Sequence, residues 1–306
     1  MKIAISTTTF GAEDPSPLEY LKKKGYVAVL NPHKRQVTSD ELVVLAQGAC
    51  GLIAGTEKIT DAAMAQLPSL KVISRCGAGG DNVDAAAARK RGIKVFTTPD
   101  APTTAVAELT AGLILGLARA IPLADRLVRS GAWKKHMGSL VSGKRAGIIG
   151  YGRIGKKVGE LLSSLGCDVV YCDINMTAGN DIAGKARRIS CEELLKTCDI
   201  VTIHASGTGG AAILDDRAIA LMKRGAFLVN TSRGTAIDET ALYRALKDGR
   251  LAGAALDVFG REPYDGPLKE LDNVILTPHV GSYAREARIA MEMEAAANLV
   301  HGLEER

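Results

Sequence analysis

The chain has 306 residues, 46% of them hydrophobic, and a formal net charge of +5 from 39 Lys and Arg against 34 Asp and Glu. That length is too great for one compact core and points to two domains of a globular protein. The basic residues are scattered, with no aromatic-interleaved groove, and the longest apolar stretch, Leu109 to Leu117, falls short of the ~20 residues a membrane span needs, which sets aside nucleic-acid and membrane partners.

The densest basic runs, Lys22-Lys23-Lys24 and Arg89-Lys90-Arg91, each end a predicted helix just before a glycine, where they suit the helix dipole. Over residues 1–98 strand and helix alternate. Strands are expected near Ile3 and over Val27–Leu30, Leu52–Ala54, Val72–Ser74 and Lys94–Thr97. Between them run helices over Pro17–Lys24, Ser39–Ala46 (capped by Ser39), Asp61–Leu67 and Asp84–Arg91. Such an alternation implies a parallel sheet with helices on both faces. The first strand, Lys2–Ile5, starts at once, so no signal peptide is expected. Six cysteines, at 50, 76, 167, 172, 191 and 198, make no C-x-x-C pair and no metal spacing. They read as reduced thiols of a cytoplasmic protein. The loop Arg75–Asn82 follows the fourth strand at its carboxyl end, where open α/β sheets bind ligands. Glycines at 77, 79 and 80 can bare N–H groups to an anion there, the plainer alternative being a turn closed by Asp81-Asn82.

Pro99 to Pro102 punctuates the chain, and Thr103 or Thr104 can cap a helix running to about Ala120. That helix is almost apolar all round and should be buried between layers. A basic stretch follows, with Arg126, Arg129, Lys134, Lys135, His136 and the single tryptophan, Trp133.

The most informative stretch is Ala146 to Asp173. A strand, Ala146–Ile149, meets G-x-G-x-x-G at Gly150, Gly152 and Gly155, with Tyr151, Arg153 and Ile154 between. Helical spacing places Ile154, Val158, Leu161, Leu162 and Leu165 on one face, and a second strand, Asp168–Cys172, ends at Asp173. Gly150 permits the tight turn, Gly152 lets a pyrophosphate approach the backbone, and Gly155 lets helix pack on strand. The helix N-terminus then faces the phosphates. An acid about 20 residues on completes the fingerprint: Asp173 would accept from a ribose 2′-OH and repel a 2′-phosphate, favouring NAD over NADP.

Further strands and helices follow: helix Cys191–Thr197, strand Ile200–His204, helix Asp215–Lys223, strand Phe227–Asn230, helix Glu239–Lys247, then strands Ala252–Val258 and Val274–Thr277. A long amphipathic helix over 284–303 closes the chain and is expected to return to the first domain. The fold class is therefore α/β, with a Rossmann NAD domain (99–283) inserted into a flavodoxin-like substrate domain (1–98 plus 284–306), both doubly wound parallel sheets.

Three residues at predicted strand ends carry chemistry: Arg233, Glu262 and His279. Arginine suits a carboxylate through two parallel hydrogen bonds. A carboxylate beside an imidazole favours its charged ring. Each alone is unremarkable, but an acid, a base and an anion anchor at three strand ends of one nucleotide-binding domain form a constellation.

With these in place the sequence resembles the D-isomer-specific 2-hydroxyacid dehydrogenase family, specifically its short phosphoglycerate-dehydrogenase-like branch without a C-terminal regulatory domain. The matching stretches are ISRCGAGGDNVD (73–84), AVAELTAGLILGLARAIP (105–122), GIIGYGRIG (147–155), NTSRGTAIDETALYRAL (230–246), AGAALDVFGREP (252–263) and NVILTPHVGS (273–282). The resemblance implies reversible hydride transfer between NAD and C2 of a small 2-hydroxy acid. Arg233 would hold the substrate carboxylate, His279 would carry the proton, and Glu262 would pair with His279. Arg75, Gly77, Ala78 and Gly79 would complete substrate binding. Asp257 would bind the nicotinamide carboxamide. His204, Thr208, Thr231, Ser232 and Gly281 would line the cofactor with the glycine turn. No metal is implied. A homodimer through residues 103 to 145 of the NAD domain is expected.

The chain departs from the family pattern in three places. Ser206 stands where the family has proline, Pro102 where asparagine is usual, and Ala54-Gly55-Thr56-Glu57 lacks the arginine of phosphoglycerate enzymes. The first substrate candidate is 3-phosphoglycerate with 3-phosphohydroxypyruvate; glyoxylate or hydroxypyruvate comes second, and a specialised 2-hydroxy acid third. A reading of another class is an NADH-sensing corepressor-like scaffold on the same fold.

Overall fold

The structure, a computed structural model, describes residues 1–175, 186–205 and 211–305. The chain divides into two compact units, Met1–Pro102 with Ser282–Arg306, and Thr103–Gly281. The connection after residue 98 stays with the first sheet because buried Thr98 donates its N–H to the Gly77 carbonyl at 3.0 Å.

The first unit contains β1 (Lys2–Ile5), α1 (Ser16–Lys23), β2 (Val27–Leu30), α2 (Ser39–Ala46), β3 (Gly51–Ala54), α3 (Asp61–Ala65), β4 (Val72–Arg75), α4 (Ala85–Lys90) and β5 (Lys94–Thr97). It also holds the C-terminal helix, Arg285–Glu304. All strands are parallel, in the order β2-β1-β3-β4-β5. That order is flavodoxin-like, with the topological switch between β1 and β3. Alternation along β1 splits the core. Ala4 packs with Leu52, Ile73 and the α2–α4 side, while Ile3 and Ile5 pack with Leu21 of α1 and with Met291, Ala295 and Leu299 of the C-terminal helix. One expectation needs correcting. The cap of α2 is Thr38, not Ser39: Thr38 Oγ1 accepts from the Glu41 N–H at 3.3 Å, and Glu41 accepts in return from the Thr38 N–H at 2.8 Å. Ser39 is already helical, because only Thr38 has a Glu three residues on to close the box.

The second unit contains α5 (Thr103–Ala118), α6 (Ile121–Arg129), β6 (Arg145–Ile149), α7 (Arg153–Ser164), β7 (Asp168–Cys172), β8 (Ala186–Arg188), α8 (Cys191–Thr197), β9 (Ile200–Ile203), α9 (Asp216–Leu221), β10 (Phe227–Asn230), α10 (Glu239–Lys247), β11 (Gly253–Leu256) and β12 (Val274–Leu276). The parallel order β12-β11-β10-β9-β6-β7-β8 reverses between β6 and β9, the Rossmann arrangement. α5 is buried along most of its length and packs against α7, as its all-round apolarity predicts. The sequence reading lacked two elements. β8 is a three-residue edge strand carrying two arginines, too short and too charged to read as a strand. α6 is amphipathic, with Ile121, Leu123, Leu127 and Val128 among its residues, but it follows α5 after two residues and buries none of them. No single helix among the described residues is long and apolar enough to cross a membrane.

Candidate active site

The second unit's sheet ends in the glycine turn. Gly150 takes φ +90°, a region L side chains avoid, and a Cβ there would lie 2.5 Å from the Ala205 nitrogen. A Cβ on Gly155 would lie 2.1 Å from the Gly150 carbonyl oxygen, which is why α7 can pack so closely. Gly152 is different, since nothing lies within 4 Å of a Cβ built on it. It caps α7, so open space meets the first turn of that helix, where the N–H groups of Arg153, Ile154 and Gly155 precede the first ladder bond, Lys156 N–H to the Gly152 carbonyl at 2.9 Å. Tyr151 points the other way, buried and stacked on Tyr171 at 3.9 Å between ring centroids. Its N–H donates to Asp173 Oδ2 at 2.6 Å, and Asp173 Oδ1 accepts from the Asn175 N–H at 2.7 Å. Asp173 thus ties the glycine turn to the end of β7.

A cavity of about 820 Å³ lies against this turn, with Gly150, Gly152, Asp173, Arg188, Cys191 and His204 among its lining residues. Arg188 donates to the Asp173 carbonyl at 2.7 Å. The His204 ring meets Thr202 Oγ1 through Nε2 at 2.9 Å. Its Nδ1 is shut off from solvent and has no hydrogen-bond partner among the described residues, although the residue as a whole is only half-buried. Burial pushes this imidazole down to about 3, so the ring is neutral at physiological pH. Open space above Gly152, exposed helix amides and an orphaned ring nitrogen at one cavity suit a dinucleotide. Thr208 and Ser206 lie outside the described residues.

Three strand ends of the same sheet carry the charged groups. After β10, the buried Asn230 side chain organises the next three residues. Its Oδ1 accepts from Ser232 N–H at 3.0 Å and Ser232 Oγ at 2.8 Å, and its amide donates to the Arg233 carbonyl at 2.8 Å. Thr231 Oγ1 meets Thr110 Oγ1 at 2.9 Å. Arg233 donates through Nη1 to the Ser232 carbonyl at 2.8 Å. Gly234 has no alternative, since a Cβ would lie 1.9 Å from the Phe259 carbonyl carbon. After β11, Glu262 Oε1 accepts from the Phe259 N–H at 3.0 Å, and Oε2 lies 2.8 Å from His279 Nδ1. Burial alone would raise the Glu262 carboxyl, but the His279 hydrogen bond and charge, the Phe259 amide and the Arg233 charge outweigh it and hold the group below its ordinary value. His279 follows β12 and has φ +55°, rare for a residue with a side chain.

What holds that backbone is Asp257. It is wholly buried, and its carboxylate accepts from Thr277 Oγ1 at 2.6 Å, Val280 N–H at 2.8 Å and Gly281 N–H at 2.8 Å. Both oxygens serve the 277–281 turn, so Asp257 shapes the loop that presents His279.

In the first unit, Arg75 ends β4 and donates through Nη1 to the Cys76 carbonyl at 3.2 Å. Gly77 has φ +155°, and a Cβ on it would strike the Arg75 guanidinium. Its N–H donates to Thr98 Oγ1 at 2.7 Å. The Gly77 amide is therefore turned inward, and Ala78 and Gly79 follow it in the loop. Asn82 ties this loop back to the Gly55 and Glu57 carbonyls at 3.1 and 2.7 Å. Glu57 is buried and accepts from Ser6 Oγ and from the Gly55 N–H.

Residues 111–281 match the family described as D-isomer specific 2-hydroxyacid dehydrogenase, NAD binding domain. The chain belongs to that family. It is 38% identical over 295 residues to D-3-phosphoglycerate dehydrogenase of Sus scrofa, covering 94% of this chain and 54% of that protein. It is 41% identical over 255 residues to glyoxylate reductase of Thermofilum pendens, covering 80% of this chain and 75% of the relative. The TT0316 protein from Thermus thermophilus has a similar structure, with a TM-score of 0.92 at 35% identity, covering 100% of this chain and 98% of that one. The chain spans about half the length of the mammalian relatives it matches. As a family member it carries the NAD-binding domain, and the glycine turn described above lies within the matched residues.

Sequence reasoning missed one residue that builds this site, Asn230, and it missed the turn-building role of Asp257, which it named only for the cofactor. Asn230 was readable in principle, because Asn followed by Ser two residues on is an Asx-turn signal. The turn-building role of Asp257 was not, because its partners lie 20 to 24 residues away.

Proposed function

We propose that this chain is an NAD-dependent oxidoreductase interconverting a 2-hydroxy acid and its 2-oxo acid, with Arg233, Glu262 and His279 as catalytic residues. The observation that carries this reading is the 2.8 Å Glu262–His279 pair, set on a strained turn beside the Arg233 strand end in the family's NAD domain. Arg233 binds the substrate carboxylate with two parallel hydrogen bonds. When bound, the nicotinamide supplies hydride to C2 or takes it away. His279 gives a proton from Nε2 to the C2 oxygen in reduction and removes it in oxidation. Glu262 occupies Nδ1, so it fixes the ring's orientation and leaves Nε2 for the substrate. Positioned acid–base chemistry of this kind is worth ~10²–10⁴-fold in rate.

The cofactor contacts assigned are the Gly150–Gly155 turn, Asp173, His204, Thr208, Thr231, Ser232, Asp257 and Gly281. Asp173 is proposed to select NAD, so NADH should exceed NADPH in kcat/KM. Arg75, Ala78 and Gly79 are proposed substrate-binding residues of the other unit, with Gly77 shaping their loop.

The preferred substrate pair is 3-phosphoglycerate and 3-phosphohydroxypyruvate, supported by the Sus scrofa relative. One observation favours a second reading, glyoxylate or hydroxypyruvate: the buried Glu57 carboxylate occupies the loop that lacks the arginine of phosphoglycerate enzymes. NADH oxidation across a panel of 2-oxo acids tests both. Preference for 3-phosphohydroxypyruvate at equal concentration supports the first, and preference for glyoxylate the second. NADH binding with turnover of no 2-oxo acid would leave the scaffold reading standing.

A homodimer through the NAD domain is also proposed. α6 buries nothing, and Ile121, Val128, Trp133, Met137 and Leu140 are all exposed along this stretch. Sedimentation of the wild type against a Trp133→Asp, Met137→Asp variant tests it; a dimer should become a monomer.

A further inference from the structure

Two cysteines stand on the wall of the glycine-turn cavity. Cys172 is the last residue of β7, immediately before Asp173, and Cys191 is the first of α8. Both line the cavity, and α8 packs on β7. The Ile189 N–H donates to the Tyr171 carbonyl at 3.0 Å, which sets the end of β7 beside the approach to α8, and the two thiols act on one another although they lie 19 residues apart in sequence. Cys191 is the exposed one among the six cysteines, and Cys172 is buried. Neither has a part in the proposed hydride transfer. Resting on the assignment of this cavity to the dinucleotide, we propose that Cys172 and Cys191 form a reversible dithiol–disulfide site whose oxidised form excludes the cofactor.

The chemistry follows from the unequal surroundings of the two sulfurs. The Cys172 thiol donates to Cys191, which draws the Cys191 thiol down to about 7, so a good part of it is thiolate near neutral pH. The same hydrogen bond, with burial, raises Cys172 and keeps it protonated. Cys191 is thus the attacking sulfur and Cys172 the resolving one. The oxidant is a low-molecular-weight disulfide, RSSR. The Cys191 thiolate attacks one sulfur, forming a Cys191–SR mixed disulfide and releasing RS⁻. That step removes the Cys191 thiolate, and with it the first cause of the raised Cys172 value. Cys172 then loses its proton to the released RS⁻ and attacks Cys191 Sγ, forming the Cys172–Cys191 bond and releasing the second RS⁻, which solvent protonates. Two protein thiols are oxidised and one RSSR is reduced to two RSH. A disulfide restricts the spacing of the two backbones it joins. Here it would tie the start of α8 to the residue preceding Asp173, which itself holds the Tyr151 amide of the glycine turn.

The full chain is treated with oxidised glutathione, with and without NADH, and followed by intact mass, peptide mapping and NADH fluorescence titration. The expected result is a peptide pair linked through Cys172 and Cys191, slowed formation when NADH is present, and an NADH Kd raised about tenfold or more, restored by dithiothreitol. Cys191→Ser should form no link and keep its NADH Kd under oxidation; Cys172→Ser should stop at the Cys191 mixed disulfide. A wild-type product that stays a mixed disulfide overturns the proposal, as does a linked protein with unchanged NADH Kd. Failure of the reduced protein to bind NADH would instead overturn the cofactor assignment, a separate result read before any oxidant is added.

Discussion

Each unit holds an acid–base pair, and the two pairs are finished in opposite ways. In the first unit Arg288 and Glu292, one turn apart on the C-terminal helix, lie 3.0 Å from each other with side chains 10% and 2% exposed. Glu292 also accepts from Thr9 Oγ1 and the Gly11 N–H, each at 2.9 Å, and Arg288 donates to Thr9 Oγ1. The charges are therefore compensated within the unit, and the pair pins the loop after β1. In the second unit Glu262 and His279 are 37% and 41% exposed, and the contact between them uses one ring nitrogen of His279. A sealed pair holds structure; the half-open pair is the one proposed for chemistry. Burial and the number of local donors separate the two roles, not the residue types.

Substituting the open pair and its neighbour should separate rate from stability most widely. His279→Ala and Arg233→Ala are each expected to lower kcat by ~10²–10⁴-fold. Urea unfolding should move by less than about 1 kcal/mol, the range of half-exposed substitutions. Wild-type turnover in both variants would remove the catalytic assignment. The sealed pair should do the reverse. Glu292→Ala leaves Arg288 buried without its carboxylate and is expected to cost about 3–5 kcal/mol in urea unfolding. A loss under about 1 kcal/mol would mean the pair does not hold the loop after β1.

His204 tests an intermediate case, a shielded ring in the otherwise open unit. Its folded value of about 3 lies below the ordinary 6.5. Between those limits the unfolded chain binds the proton and the folded chain does not, so stability is full above about pH 6.5 and declines as pH falls toward 3. The slope attributable to this group is at most ~1.4 kcal/mol per pH unit. Unfolding measured from about pH 7 to about pH 4.5 should be less pH-dependent in His204→Gln than in the wild type; equal slopes would show that the ring is not shielded. The smallest effect concerns the α2 cap. Thr38→Ala should cost about 1 kcal/mol, whereas Ser39→Ala, on the exposed first turn, should stay within about 0.5 kcal/mol.

The sequence by itself determined what depends on local spacing. Strand–helix alternation yielded both parallel sheets, and G-x-G-x-x-G located the nucleotide turn. Gly150 and Gly155 were readable because the turn itself demands them: the first has a positive φ, and the second would otherwise strike the Gly150 carbonyl. Arg233, Glu262 and His279 were readable as charged residues following apolar strands. Spacing did not reveal which polar group pairs with which. Tertiary structure decided that Asp257 accepts from residues 277 to 281, that the Gly77 amide turns to Thr98, that Glu57 is sealed under Ser6, and that Cys172 lies beside Cys191. The physical reason is common to all four. A polar group pairs with whichever partner the fold brings near, and a parallel sheet brings together strand ends and loops that lie 19 to 51 residues apart in the chain.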